Sequence, residues 1–414
     1  MAACSRRFLF LLLLLYFLAS TADLLHITIA LFKVKVGLII PLLLFPLIKI
    51  WQIPKPLFYA FLLLLLSQTL SAIFGTAPLR SFEYLGIYCL NFLLYFLLPY
   101  NLVQTVDLRL FFRSYWRAFC LVGLFATCQL LFSLFGIYVP FSLQKAAGLV
   151  RGQAWLYEPS YYALYMTAYT MFHNALAFLR KASPLKLLGQ NLLLAVSTST
   201  GLIVSYPALF FSLGALVPTA RKKLKFGILI FFLTLAGVTL FFHEIALETV
   251  FKFFYFGLSH ISFSDRWTQA VSSFSVFLDH PFFGVGLGGI GPYLFAKASA
   301  YYAPITTLSE LDGFDPTTCF TELLGSLGLF GLFAVFNLLV LFYRSFRSVM
   351  ADPFLSVETK QTATALFLSL AITVLALQMN QNLFRPYIWI HAAVVYGYFR
   401  RVMDVELAID NTSQ

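Results

Sequence analysis

The sequence predicts an all-α, polytopic membrane protein of about twelve transmembrane helices, and three observations carry that prediction. Hydrophobic residues fill 60% of the 414 positions and charged residues only 11%, against about 25% charged in a soluble globular chain. Mean hydropathy is +0.85, and apolar runs of roughly 20 residues recur, the length that crosses about 30 Å of hydrocarbon. Lipid offers no partner to an open sheet edge, so such runs close their backbone hydrogen bonds as helices. No internal repeat and no composition shift marks a separate soluble domain, so the chain reads as one integral membrane domain over 1–414.

Taken in order, the spans fall at about 8–30, 36–48, 56–74, 82–102, 114–137, 160–179, 187–200, 202–218, 226–243, 319–343, 363–380 and 387–399. The first follows Arg6 and Arg7 and ends at Ala19–Ser20–Thr21–Ala22, a pattern shared with cleavable secretory signals. With so many spans after it, an uncleaved helix is the expectation. The second is short, and the seventh and eighth read as a hairpin bent near Ser199–Thr200–Gly201. With both termini cytoplasmic, nineteen of the 28 Lys and Arg lie inside, among them the clusters at 221–225 and 344–347. That is the bias of the positive-inside rule. The net charge of +11 then reflects topology. No basic helix interleaved with aromatics supports nucleic-acid binding. The five Cys make no metal-type spacing; most lie in or beside apolar runs, as small hydrophobes, and a disulfide framework is not expected.

The connection from about 244 to 318 is far longer than any other and falls on the outer side. It carries Glu244, Glu248, Lys252, His260, Asp265, Arg266, Asp279, His280, Lys297, Glu310, Asp312 and Asp315. A long loop with its own charges is usually functional or disordered. Aromatics throughout argue against disorder, and short amphipathic helices on the membrane surface are expected.

Candidate site residues lie on that outer side. In Arg151–Gly152–Gln153–Ala154–Trp155–Leu156–Tyr157–Glu158–Pro159–Ser160, Arg151 has the guanidinium geometry that grips a phosphate through two oxygens. Glu158 could serve as general base on a sugar hydroxyl, or its carboxylate could favour a helix N-terminus opened by Pro159. The bland alternative is an Arg151–Glu158 ion pair that only anchors the helix. In Ser264–Asp265–Arg266–Trp267, Ser264 or Asp265 is a plausible N-cap of a helix running to about Leu278. Arg266 is a second phosphate ligand or a snorkelling interfacial cation.

The run from Asp279 to Gly289, DHPFFGVGLGG, stops that helix and enters a glycine-dense turn. Its glycines could bring backbone close to a ligand. It is neither a P-loop nor a dinucleotide fingerprint, since no Gly-Lys-Ser/Thr follows and no strand precedes it. His280, as an imidazole that can exchange a proton, is a second candidate base, or it caps the helix. Glu322 opens the tenth span, where a first-turn acid suits the helix dipole and the small residues around it suit close packing. Asp23 and His26, one turn apart in the first run, are intramembrane ionisable residues or sit at the outer interface. Arg385, with Asn380, Gln381 and Asn382, could complete a basic rim.

Four segments together resemble the family of O-antigen polymerases and O-antigen ligases. They are RGQAWLYEPSYYALY at 151–165, STSTGLI at 197–203, SDRWTQAVSSFSVFLDHPFFGVGLG at 264–288 and FTELLGSLGLFGL at 320–332. They cover roughly 150–335 with the long loop between the third and fourth. The resemblance implies a GT-C-like, bacterial inner-membrane glycosyltransferase whose site faces the periplasm. Its donor and acceptor would be undecaprenyl-diphosphate-linked glycans, with a chain-length regulator as a further partner and no cofactor or metal. It implies diphosphate binding by Arg151 and Arg266, with Glu158 as first and His280 as second catalytic base. Arg385 and Thr317 would join the substrate-binding rim. Ligases usually carry His-Asn where this chain has Thr317–Thr318, and often an Arg where it has Thr200. The resemblance therefore leans toward a polymerase making O-antigen, exopolysaccharide or capsule. Ligation to lipid A-core or protein is the alternative, and a twelve-helix transporter the third.

Overall fold

A computed structural model describes residues 6–29, 32–47, 51–142, 145–146, 149–180, 183–197, 201–216, 261–297, 316, 318–378, 383 and 385–412. The architecture is helical, with two short antiparallel hairpins as its only described strands.

Helix α1 (Arg6–Ala19) rises about 21 Å at 1.5 Å per residue, short of the bilayer core. It stops where Ser20 and Thr21 turn their hydroxyls back onto the Phe17 and Leu18 carbonyls, each at 2.7 Å. The chain then pairs β1 (His26–Ile29) with β2 (Phe32–Lys35), Ile27 opposite Val34. The expected helix over 8–30 is thus corrected. Ile27, Thr28 and Ile29 are β-branched and favour a pleated strand, and hydroxyl caps end the helix before them. After α2 (Val36–Leu44), α3 runs Lys55–Phe74, close to its expected 56–74.

Helix α4 is longer than its expected 82–102. It runs Pro78–Leu90, widens into a π-helical stretch at Asn91–Leu97 and continues through Thr105. Helix α5 (Leu108–Ser133) begins before the expected 114, because Asp107 caps it by accepting from the Leu110 amide at 2.8 Å. Hairpin β3–β4 (Lys145–Ala146, Leu149–Val150) precedes the candidate segment. Helix α6 (Pro159–Leu179) matches its expected bounds within a residue, and α7 (Pro184–Ala195) and α8 (Gly201–Leu216) follow; the expected bend at Ser199–Thr200 lies outside the described residues. The expected ninth span, 226–243, lies outside the described residues.

From the long connection the structure describes α9 (Ile261–Asp279) and α10 (Ile290–Lys297). Helix α9 is two-faced. Ser272, Ser273 and Val276 are buried, while Trp267, Val271, Phe274 and Leu278 form an exposed apolar stripe at helical spacing. Then come α11 (Cys319–Ala351), α12 (Val357–Ala376) and α13 (Pro386–Thr412). Among the described residues five helices are long and apolar enough to cross a membrane: Lys55–Phe74, Pro78–Thr105, Leu108–Ser133, Cys319–Ala351 and Val357–Ala376. The protein is multi-pass.

The bundle packs α1 on α5, α3 on α11, α4 on α13, α6 on α12 and α9 on α11. Aromatic pairs dominate the interior, with Phe119 stacked on Tyr165 at 4.1 Å and Phe346 on Phe367 at 4.3 Å. Fully buried His391 of α13 bridges the Tyr115 hydroxyl of α5 at 2.9 Å and the Ser369 hydroxyl of α12 at 3.0 Å. In hydrocarbon such a shared hydrogen bond fixes helix register, because the alternative is an unsatisfied polar group.

Candidate functional site

The segment before α6 is held from three directions. From α5, buried Gln129 spans the turn: its oxygen accepts from the Gln153 and Ala154 amides at 3.2 and 2.8 Å, and its amide donates to the Ala154 carbonyl at 2.9 Å. Ala154 sits at φ 53, a left-handed conformation uncommon outside glycine, so these bonds hold a backbone that the residue alone would not choose. From the end of α7, the Gly152 amide donates to Val196 at 3.1 Å. A side chain at Gly152 would meet Val196 at 2.1 Å. From the turn after α1, the Leu24 amide donates to the Trp155 carbonyl at 3.2 Å and the Trp155 indole to Thr21 at 2.8 Å.

Arg151 fits the same frame. Its guanidinium donates through Nη2 at 3.2 Å and Nε at 3.4 Å to the Ser197 carbonyl, just past the end of α7, where a cation suits the exposed carbonyls. Arg151 therefore clasps the segment to the α7–α8 hairpin.

Glu158 stands at the N-cap position of α6 in extended conformation, with Pro159 as the first helical residue. Its carboxylate accepts from the Ser160 hydroxyl. The charge on Glu158 acts on the Arg266 guanidinium of α9, and on the Tyr161 and Tyr387 hydroxyls. Two segments more than 100 residues apart in sequence thus come within electrostatic reach of each other. Burial pushes the Arg266 guanidinium below its ordinary value, and the Glu158 carboxylate opposes that without cancelling it. Among the described residues no ion pair or hydrogen bond closes on Arg266.

Arg385 is different. Its guanidinium donates at 2.6 Å to the buried Asp23 carboxylate and lies 4.4 Å over the Tyr161 ring. Burial again works downward, but Asp23, Tyr387 and Tyr161 outweigh it and hold Arg385 above its ordinary value. Among the described residues Arg385 has a carboxylate partner at 2.6 Å and Arg266 has none, and an under-compensated cation in a sheltered position draws an anion. Asp23 belongs here as the Arg385 partner, in a turn rather than inside a span; the side chain of His26 is outside the described ones.

The structure does not bring His280 to this place. It lies fourteen residues beyond Arg266, about 21 Å along the α9 axis at 1.5 Å per residue. There it stands edge-on to Tyr293 at 5.0 Å. Neighbouring Asp279 accepts from Tyr293 at 2.9 Å and from the Lys297 ammonium. The Lys297 hydrogen bond, opposed by partial burial, holds Asp279 below the usual carboxylate range.

The glycine-dense turn brings backbone close to protein, not to an open cleft. Helix α11 is broken at Gly328, φ 63 and ψ −162. The groups released there pair with the turn: the Val285 and Gly286 amides donate to Gly325 and Ser326 at 3.0 and 2.9 Å, and the Leu329 and Phe330 amides donate to Pro281 and Phe282 at 2.8 and 3.2 Å. At Gly284, φ 67, a Cβ would sit 2.3 Å from the Ser326 backbone. The glycines expected to approach a ligand instead satisfy a broken helix. Glu322 is buried in the first turn of α11, and Thr317 lies outside the described residues. Among the described residues no three or more His, Cys, Asp and Glu side chains group as a metal site would require.

Sequence reasoning missed Gln129, Tyr161 and Tyr387. Gln129 had a visible signal, as a lone amide in an otherwise apolar stretch of α5; the tyrosines had none among 22.

No curated protein matches the chain significantly. Residues 187–336, from α7 through the broken half of α11, match the family model described as O-antigen ligase, and the chain accordingly resembles the O-antigen ligase and polymerase family, in which the proteins are membrane glycan-processing enzymes.

Proposed function

We propose that this protein polymerises undecaprenyl-diphosphate-linked oligosaccharide repeats into O-antigen, exopolysaccharide or capsule at the outer face of a bacterial inner membrane. The observation that carries the reading is the half-buried Arg266 guanidinium on which the Glu158 charge acts. It offers an acceptor for a proton within electrostatic reach of a cation for a diphosphate. A hydroxyl of the acceptor repeat attacks the anomeric carbon of the donor glycan. The bond from that carbon to the diphosphate oxygen breaks, Glu158 takes the hydroxyl proton, and undecaprenyl diphosphate leaves. Arg266 stabilises the charge gathering on the leaving diphosphate, which is preorganised electrostatic catalysis. Arg151 is a second cation of the site and Arg385 part of its rim; Thr317 is a further substrate contact. His280, at the far end of α9, is assigned to a more distant part of the glycan path. The arginines neutralise the diphosphate without a metal. The topology places both termini in the cytoplasm and 244–318 in the periplasm.

Ligation to lipid A-core or protein is the second reading, favoured by the description of the matching family model and opposed by Thr317–Thr318 in place of His-Asn. The test is a deletion strain complemented with wild type or Arg266→Ala and read on a silver-stained gel with a capsule assay. Single-repeat glycan in the deletion, a ladder restored by wild type, and a loss of about 10²–10³-fold with Arg266→Ala at equal protein level support polymerisation. An intact ladder that fails to attach to lipid A-core supports ligation. No glycan phenotype would return the transporter reading.

A further inference from the structure

We propose that the paired N-terminal ends of α1 and α5 form a binding site for an anionic phospholipid, with Arg109, Arg113 and Arg117 holding its phosphate; the topology proposed above supplies only the leaflet, the cytoplasmic one. The two helices run parallel. Arg6 reaches the Asp107 carboxylate at 3.7 Å, the Ser114 hydroxyl lies 3.4 Å from the Phe10 carbonyl, and the Arg117 guanidinium lies 5.1 Å over the Phe10 ring. Arg109, Arg113 and Arg117 recur every four residues and so share one face of α5. All three are exposed, as are Arg6 and Arg7 on α1. The same face of α5 continues as exposed Leu121, Leu124 and Leu131, and α1 follows Arg7 with exposed Phe8, Leu11 and Leu15. One continuous surface is thus cationic at its end and apolar above, which is the order of a phospholipid's headgroup and acyl chains.

This face differs from cations that only set topology and from cations that only brace the fold. The positive-inside bias is a property of loops beside spans, whereas a charge on the lipid-facing stripe of a span is costly unless something answers it. Residues 118–133 of α5 carry no charge and rise about 24 Å, most of the roughly 30 Å of hydrocarbon. Arg117 therefore stands where phosphates meet acyl chains, about 12 Å along the axis from Arg109. Among the described residues Arg7, Arg109 and Arg113 close no ion pair or hydrogen bond, and Asp107 is engaged by Arg6 and by the Leu110 amide that it caps. Arginines that brace the fold look different: Arg180 donates to Gln361 at 3.0 Å and Thr362 at 2.9 Å, and Arg401 to the Val103 and Val106 carbonyls. Guanidinium groups suit phosphate oxygens, and basic groups at a membrane surface attract anionic headgroups. A soluble anion would answer the charge but leave the apolar half of the face without a partner.

The test exchanges the purified full-length protein into mixed micelles of phosphatidylglycerol and phosphatidylcholine and counts the lipids it retains by native mass spectrometry. Wild type is expected to retain phosphatidylglycerol in preference. Arg113→Gln should weaken that preference about five-fold, the change that corresponds to about 1 kcal/mol, and the Arg109→Gln/Arg113→Gln/Arg117→Gln triple variant should weaken it further. An unchanged preference in the triple variant overturns the proposal. Arg344→Gln/Arg347→Gln removes two cations equally exposed on α11 and should leave the preference intact; an equal loss there would mean diffuse charge and no site. Excess inorganic phosphate should not displace the lipid, and displacement would identify a soluble-anion site instead. If the triple variant does not accumulate, the corresponding triple exchange to Lys keeps the charges and should keep most of the preference, whereas a preference lost altogether overturns the electrostatic account.

Discussion

Gln129 shows how one buried side chain sets a site. Its amide satisfies two N–H groups and one carbonyl of the turn ahead of Glu158, and also donates to the Pro140 carbonyl at 3.0 Å. Gln129→Leu keeps the volume and deletes every one of those bonds. Each buried backbone group left unpaired costs about 1–3 kcal/mol, and the turn relaxes by moving. The expected outcome is a loss of polymer synthesis of up to about 100-fold, with protein still in the membrane. Ladder length at matched protein level checks it, and an unchanged ladder would remove Gln129 from the site. Arg151 and Glu158 were both legible as candidates, since ionisable residues between apolar runs need a reason. The partner of Arg151 was not legible. A carbonyl 46 residues away leaves no mark on the sequence, and the local alternative, an ion pair with Glu158, is not the bond that clasps the segment.

At the scale of elements, the broken helix α11 and the segment 281–286 form one unit. A helix interrupted in the membrane is tolerated only where its freed backbone groups find protein partners, and the glycine turn supplies them. Gly328→Ala places a Cβ 2.5 Å from the Phe282 carbonyl at a left-handed φ. The expected cost is about 2–3 kcal/mol, read as a lower midpoint of thermal unfolding in detergent and less protein in the membrane. Unchanged stability would mean that the break at Gly328 is absent from the working protein. The sequence marks this region clearly, as glycines in both segments, but glycine density is equally compatible with a ligand cradle and with backbone docking. Only the register of 285 on 325 separates the two.

For the whole molecule, the proposed topology gives opposite sides to the loops after α5 and α11. In a background without native cysteines, Tyr138→Cys should react with an impermeant thiol reagent in intact spheroplasts, and Phe354→Cys only after permeabilisation. Both positions are exposed, so accessibility within the fold does not confound the result. Labelling of both from one side would overturn the twelve-span scheme. The first helix is the element where that scheme needed correction. Its apolar run is long enough to span, yet hydroxyl caps and β-branched residues end it at Ala19.

What the sequence by itself determined is the class: a helical multi-pass membrane protein, most helix positions, and a short roster of outer-face charges. Hydrophobic length and the absence of water in lipid dictate those features locally. Which charges meet was decided by the tertiary structure alone. Asp23 and Arg385 are joined across 362 residues, and the charge of Glu158 reaches Arg266, 108 residues further along the chain. His280 directly follows the helix that carries Arg266 yet stands about 21 Å away. Charge pairing depends on distance through space. Sequence proximity fixes that distance only along a single rigid helix, where it separated two residues that the motif had placed together.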